Sequence, residues 1–240
     1  YHDFLNGTDE INVGRVYPFT GGSRFIQNKE VTPDQIRWLS LLLFLLVICA
    51  GIALTMLTTS KLIWIGILGI FLGWAYSSPP FQLMARGIFG EIAISITWSI
   101  IVIGAYLLNS PILSSKIIFL AAAYGITISL ILFINQIPDI DADKLVGKNT
   151  LAVSFPKSQL HLLYLIIAAV PHLIIFMGYV LQFLNPIYLI SFFACPIQIH
   201  VVKNLQSAMQ SKDEFKALII ETIIASHLIG FLFIFSNLIS

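Results

Sequence analysis

Lys116–Val153 reads KIIFLAAAYGITISLILFINQIPDIDADKLVGKNTLAV, and its two halves obey different chemistry. Residues 116–136 are almost wholly apolar and match the roughly 20 residues that a helix needs to cross a bilayer. Directly after them stand Asp139, Asp141 and Asp143, with Lys144 and Lys148 close behind. Acids crowded at a membrane boundary are costly unless something cationic sits among them. Asp139 and Asp143 are four apart, so on a helix they share one face and are placed to hold one divalent cation together. The adjacent lysines point to an anionic, phosphate-bearing ligand gripped jointly by metal and protein.

The rest of the chain repeats the apolar half of this pattern. At 58% hydrophobic, 10% charged and a mean hydropathy of +0.90, the sequence excludes a soluble domain. Apolar runs place spans at 37–58, 62–77, 87–108, 116–136, 159–181, 187–203 and 217–239, of which 62–77 and 187–203 are the shortest. The expected fold is therefore all-α: a polytopic transmembrane bundle with seven spans, forming one domain over 1–240. Ser-Pro-Pro at 78–80, Asn-Ser-Pro at 109–111 and Asn-Pro at 185–186 punctuate it. A net charge of +1 gives no sign of a nucleic-acid partner. Cys49 and Cys195 lie in apolar spans without metal-ligand spacing and read as packing thiols.

Counting crossings puts segments 1–36, 78–86, 137–158 and 204–216 on one face. With Arg37 and Lys203 at its boundary, that face takes 11 of the 13 Lys and Arg, leaving only Lys61 and Lys116 for the other. The positive-inside rule makes the crowded face cytoplasmic. Ten of the 12 acids lie there too, the exceptions being Glu91 and Glu221. A bias in basic residues alone is ordinary topology; acids and bases gathered together suggest a site.

The second polar loop at that face is YHDFLNGTDEINVGRVYPFTGGSRFI, residues 1–26, which supplies Asp3, Asp9 and Glu10, then Asn12, Arg15 and Arg24. An even number of crossings separates Asp3 from Asp139, so both loops emerge at one surface. A single acidic loop is ordinarily a solvated face, and that reading competes here. Two loops of matched chemistry on one face favour Mg²⁺ held between them, its remaining ligands being waters and phosphate oxygens.

These motifs resemble those of the UbiA superfamily of intramembrane aromatic prenyltransferases. YHDFLNGTD is similar to the tail of that family's NDxxDxxxxxD motif, with Asp3 and Asp9 at its later aspartates. PDIDADKLVGKNTLAV is similar to the second motif, DxxxD, with Asp139 and Asp143 in its two positions. YSSPPFQLMARGIFGE at 76–91 resembles the family's Tyr, Pro-Pro, Arg-Gly, Gly-Glu loop. The GxDxxN, PFTGGSR and NxxPDxxADKxxGKxTLxV wording is most similar to the branch that prenylates 1,4-dihydroxy-2-naphthoate in menaquinone synthesis. Here the family's Lys in the third loop is absent, and Arg86 is the only cation there.

The resemblance implies a nine-helix fold. Because the chain opens on Tyr1 without a methionine, two further helices are expected upstream. It implies transfer of a polyprenyl group from polyprenyl diphosphate to an aromatic acceptor, with Mg²⁺ as cofactor, in the cell (inner) membrane with the Asp motifs facing the cytoplasm. 4-Hydroxybenzoate and homogentisate stand as alternative acceptors. The implied metal ligands are Asp3, Asp9, Asp139 and Asp143. Asn135 adds a candidate oxygen four residues before Asp139, although Pro138 is placed to kink the helix between them. Asp141 is a further candidate. Arg15, Arg86, Lys144 and Lys148 are the expected diphosphate clamps; Tyr76 and Trp74 are candidates for the cavity wall, with anchoring in the interfacial aromatic belt the favoured reading of each.

Other polar residues carry weaker signals. Glu91 is expected to orient Arg86 or its loop, and Glu221 to cap the cavity or pair with a loop lysine. His161, His172, His200 and His227 lack ligand spacing and read as helix-packing histidines. Two rival classes fit less well. A CDP-alcohol phosphotransferase needs an Asp-Gly-x-x-Ala-Arg signature that is absent, and transporter carboxylates normally lie near the bilayer midplane rather than at one boundary.

Overall fold

A computed structural model describes residues 1–12, 14–110 and 112–239, apart from the side chains of Asp3, Asn6, Thr8 and Asp9. Two short helices open it, α1 (His2–Asn6) and α2 (Thr8–Ile11). A loop follows, and then α3 (Pro33–Leu57), started by a capping box in which Thr32 and Gln35 exchange hydrogen bonds. Next come α4 (Leu62–Ser77), α5 (Phe89–Leu107) and α6 (Ser115–Gln136). Beyond the short α7 (Ile140–Leu145) lie α8 (Leu160–Val180), α9 (Cys195–Ala208) and α10 (Lys212–Ile239).

The expected all-α bundle is what forms, and among the described residues six helical segments are long and apolar enough to span a membrane. The seventh expected span, α4, differs: its 16 residues reach about 24 Å at 1.5 Å per residue, short of the roughly 30 Å hydrocarbon core. The span expected at 187–203 also changes shape. It is a 3₁₀ segment, Pro186–Ala194, leading into α9, together 23 residues long. Pro196 sits in the first turn of α9, where its missing N–H costs nothing, so a new helix starts there.

Helix α6 is the axis of the molecule, packed between α5, α8 and α10. Small residues let its neighbours in. A methyl group on Gly125 would run into the Ser95 carbonyl and the Ser99 hydroxyl of α5, and Ser99 Oγ donates to the Ala121 carbonyl at 2.9 Å. Without a hydrophobic drive between helices in lipid, such close backbone approach and interhelical hydrogen bonding hold the pair together. Phe133 and Ile134 at the motif end of α6 are fully buried against Leu160, Tyr164, Leu205 and Ile219. Helix α3, by contrast, buries none of its side chains. Cys49 therefore lies exposed on α3 rather than in packing, whereas Cys195 is half-buried with its sulfur 3.5 Å from His172.

Candidate metal and diphosphate site

Pro138 decides the geometry of the second motif. It lacks the N–H that would continue α6, so that helix stops at Gln136 and a new one begins after Asp139. The break falls between Asn135 and Asp139, which therefore sit on different elements. From Asp139 on, the chain is helical again: the Asp143 N–H donates to the Asp139 carbonyl at 2.8 Å. Gly147, at φ +73°, then turns the chain so that the Lys148 N–H meets the Asp143 carbonyl at 2.9 Å. Lys148 Nζ lies 3.7 Å from Asp143 Oδ1, and Asp143 is only 2% exposed.

Asp141 is two positions from either carboxylate, about 200° round the helix, and faces the other way. It is 81% exposed and holds Lys157 at 2.9 Å. Its candidacy as a ligand gives way to an ordinary surface ion pair.

The first loop folds back over Asp139. Asn12, itself buried, donates from Nδ2 to Asp139 Oδ1 at 2.7 Å. Thr20 and Gly21 lie close enough to Asp139 to favour its charged form, while Thr20 Oγ1 accepts from the Val16 N–H at 2.9 Å. Arg24 spans the loop from inside, its guanidinium 2.7 Å from the Asn12 carbonyl. Two glycines make the closure possible. A Cβ on Gly14 would sit 3.0 Å from the Pro138 carbonyl, and one on Gly21 would fall 2.7 Å from Arg15 Cβ. Their role here is close chain-to-chain approach.

Burial raises the Asp139 pKa above the usual carboxylate value, with Asn12, Thr20, Lys148 and Gly21 each pulling it back. An ionised carboxylate offers about four lone-pair positions, so the Asn12 bond leaves room on Asp139 for a cationic partner.

The third loop closes the group. Arg86–Gly87 (β1) pairs in parallel with Asn149–Thr150 (β2), Arg86 opposite Asn149. The Arg86 guanidinium is exposed and donates to the Pro80 carbonyl at 2.6 Å. His2 Nε2 lies 3.0 Å from Ser78 Oγ, joining α1 to the same loop. All three sequence motifs thus meet on one surface. Lys144 is exposed at the end of α7, Arg15 sits 5.6 Å from the Tyr17 ring, and Tyr76 is half-buried where α4 ends. Trp74 packs against Phe71 and Phe81. The Asp3 and Asp9 side chains, both expected ligands, lie outside the described residues.

Two expected pairings are corrected. Glu91 does not reach Arg86: its Oε1 accepts from Gln136 Nε2 at 2.7 Å, and Gln136 Oε1 accepts from the Ala152 N–H at 3.2 Å. Glu221 meets His200 at 2.8 Å rather than a lysine. His172 is bonded to Gln198 at 2.9 Å and His227 to the Ile223 carbonyl, as packing histidines should be. His161 departs from them, since its Nδ1 is buried without a partner among the described residues.

Among the described residues no three His, Cys, Asp or Glu side chains converge as a ready-made metal cage. What does fit a hard cation is the donor chemistry: carboxylates together with two buried amide oxygens, Asn12 Oδ1 and Asn135 Oδ1, that have no donor among the described residues.

The UbiA prenyltransferase family matches residues 12–226, nearly the whole chain and all of the loops after Asn12. The chain belongs to the UbiA prenyltransferase family. Its general activity as a UbiA-type protein is prenyl transfer, and its apolar helices make it an integral membrane protein. Comparisons with curated proteins and with solved structures found no match. Sequence reasoning named Asn12 without assigning it and passed over Thr20 and Gln136. The one available signal was their position: each lies within or beside a motif, three to eleven residues from its acids.

Proposed function

We propose that this UbiA-type protein transfers a polyprenyl group from polyprenyl diphosphate to 1,4-dihydroxy-2-naphthoate, with Mg²⁺ bound between the first and second loops. The observation that carries this reading is the Asn12–Asp139 hydrogen bond, which ties the loop after Asp3 and Asp9 to the loop bearing Asp139 and Asp143. In it, Asp139 and Asp143 hold the cation, with Asp3, Asp9 and the amide oxygens of Asn12 and Asn135 completing the oxygen set. When bound, the metal offsets the negative charge that grows on the departing diphosphate.

The protein's own contribution is positioning and charge. Lys148 is held beside Asp143, and on this reading Lys144, Arg86 and Arg15 join it in gripping diphosphate oxygens. They stabilise the leaving group more as the allylic C–O bond breaks than before it, which is what speeds the step. The allylic cation must meet the ring before it meets water, and apolar helices below the loops supply that dry surrounding. The acceptor assignment rests on the GxDxxN and PFTGGSR wording. On the same reading the loops face the cytoplasm, where 11 of the 13 basic residues gather.

The test is a transfer assay in membranes with Mg²⁺, a labelled prenyl diphosphate and a panel of aromatic acids. The expected result is product from dihydroxynaphthoate that disappears with EDTA. Product from 4-hydroxybenzoate alone overturns the acceptor, and turnover unaffected by EDTA overturns the metal.

A further inference from the structure

Glu91 is 5% exposed, in the first turn of a membrane helix, and its Oε2 has no hydrogen-bond partner among the described residues. A buried carboxylate is expensive and calls for a structural or functional reason to be there. Its bond to Gln136 supplies one. Gln136 is the last residue of α6, three before Asp139, and it passes the contact on to the Ala152 N–H. Ala152 lies two residues past β2, the strand that β1 grips from the third loop. The segment 137–152, with Asp139, Asp143 and Lys148, is therefore fastened at both ends to the same stretch, Arg86–Glu91. One fastening is the short ladder, and the other is the Glu91–Gln136–Ala152 chain. Gln136 can serve both sides because an amide is donor and acceptor at once, and neither a carboxylate nor an apolar residue does this.

We infer that Glu91 is a positioning residue that sets the second-motif loop for cation binding, acting through Gln136. This rests on the reading that the loop holds a divalent cation. Groups that orient metal ligands from behind are worth about ten- to a hundredfold in metal affinity.

The experiment measures Mn²⁺ binding to the purified full chain by electron paramagnetic resonance, beside melting temperature and prenyl transfer. Glu91→Ala is expected to weaken Mn²⁺ about tenfold, and Glu91→Gln, which keeps an acceptor for Gln136, to stay within about twofold of the parent. Gln136→Glu faces Glu91 with a second carboxylate and is expected to weaken Mn²⁺ as well. The double variant Glu91→Gln with Gln136→Glu re-forms the bond with donor and acceptor exchanged, and is expected to recover binding. A folded Glu91→Ala protein with parental Mn²⁺ affinity overturns the inference. So does a double variant no better than Gln136→Glu, including when Glu91→Ala fails to fold. If the parent binds Mn²⁺ and the variants behave as stated but no prenyl group is transferred, the proposed function fails and the positioning role stands.

Discussion

Asn12 Nδ2 and Asp139 Oδ1 stand 2.7 Å apart across 127 residues of chain. This bond joins two loops that the sequence can only place on the same side of a membrane. It also leaves Asn12 Oδ1 buried with no donor among the described residues, which is an arrangement a bound cation would complete.

Asn12→Ala takes one donor from a buried carboxylate and is expected to cost about 1–3 kcal/mol. Asn12→Asp sets a second carboxylate against Asp139, so without divalent cation it should be the less stable of the two. Added Mg²⁺ should narrow or reverse that order. Melting temperatures of both variants with and without Mg²⁺ check it; an order that ignores Mg²⁺ speaks against a cation between these residues.

Asp139→Ala and Asp143→Ala are expected to lower prenyl transfer by about a hundredfold or more, the scale of losing a transition-state charge contact. Asp141→Ala should stay within about twofold, because its exposed pair with Lys157 is worth little. Initial rates on the three variants decide the matter. Equal losses at Asp141 and Asp139 would contradict the division of the α7 faces.

Proton and metal should compete at Asp139. Its pKa is raised chiefly by burial, so without a cation the folded protein binds that proton more tightly than the unfolded chain does. Asp139 therefore favours folding most at pH below its unfolded value, and this contribution is lost as pH rises through the raised folded value. Compared with Asp139→Asn, the metal-free parent should gain stability as pH falls across that window. Mn²⁺ affinity should weaken over the same window. A metal affinity that does not change with pH there removes Asp139 from the ligand set.

Gly125→Ala should destabilise the bundle by roughly 1–3 kcal/mol, the usual cost of overpacking, because its methyl meets the Ser95 backbone rather than a movable side chain. Gly51→Ala, where a methyl would find open space on α3, should be neutral or slightly stabilising. Unfolding in detergent, followed by circular dichroism, compares the two.

The apolar runs alone determined that this chain is a membrane helix bundle, because twenty consecutive apolar residues have no other stable place. The spacing of acids and bases alone pointed to one polar face and to Asp139 and Asp143 as candidates, since charge at a bilayer edge must be offset locally. Tertiary structure decided everything that depends on which side chains meet. It gave Glu91 to Gln136 rather than Arg86, turned Asp141 out to Lys157, and brought Asn12 onto Asp139. Hydrogen bonds act over about 3 Å, and no periodicity along the chain reports which residues a loop will bring that close.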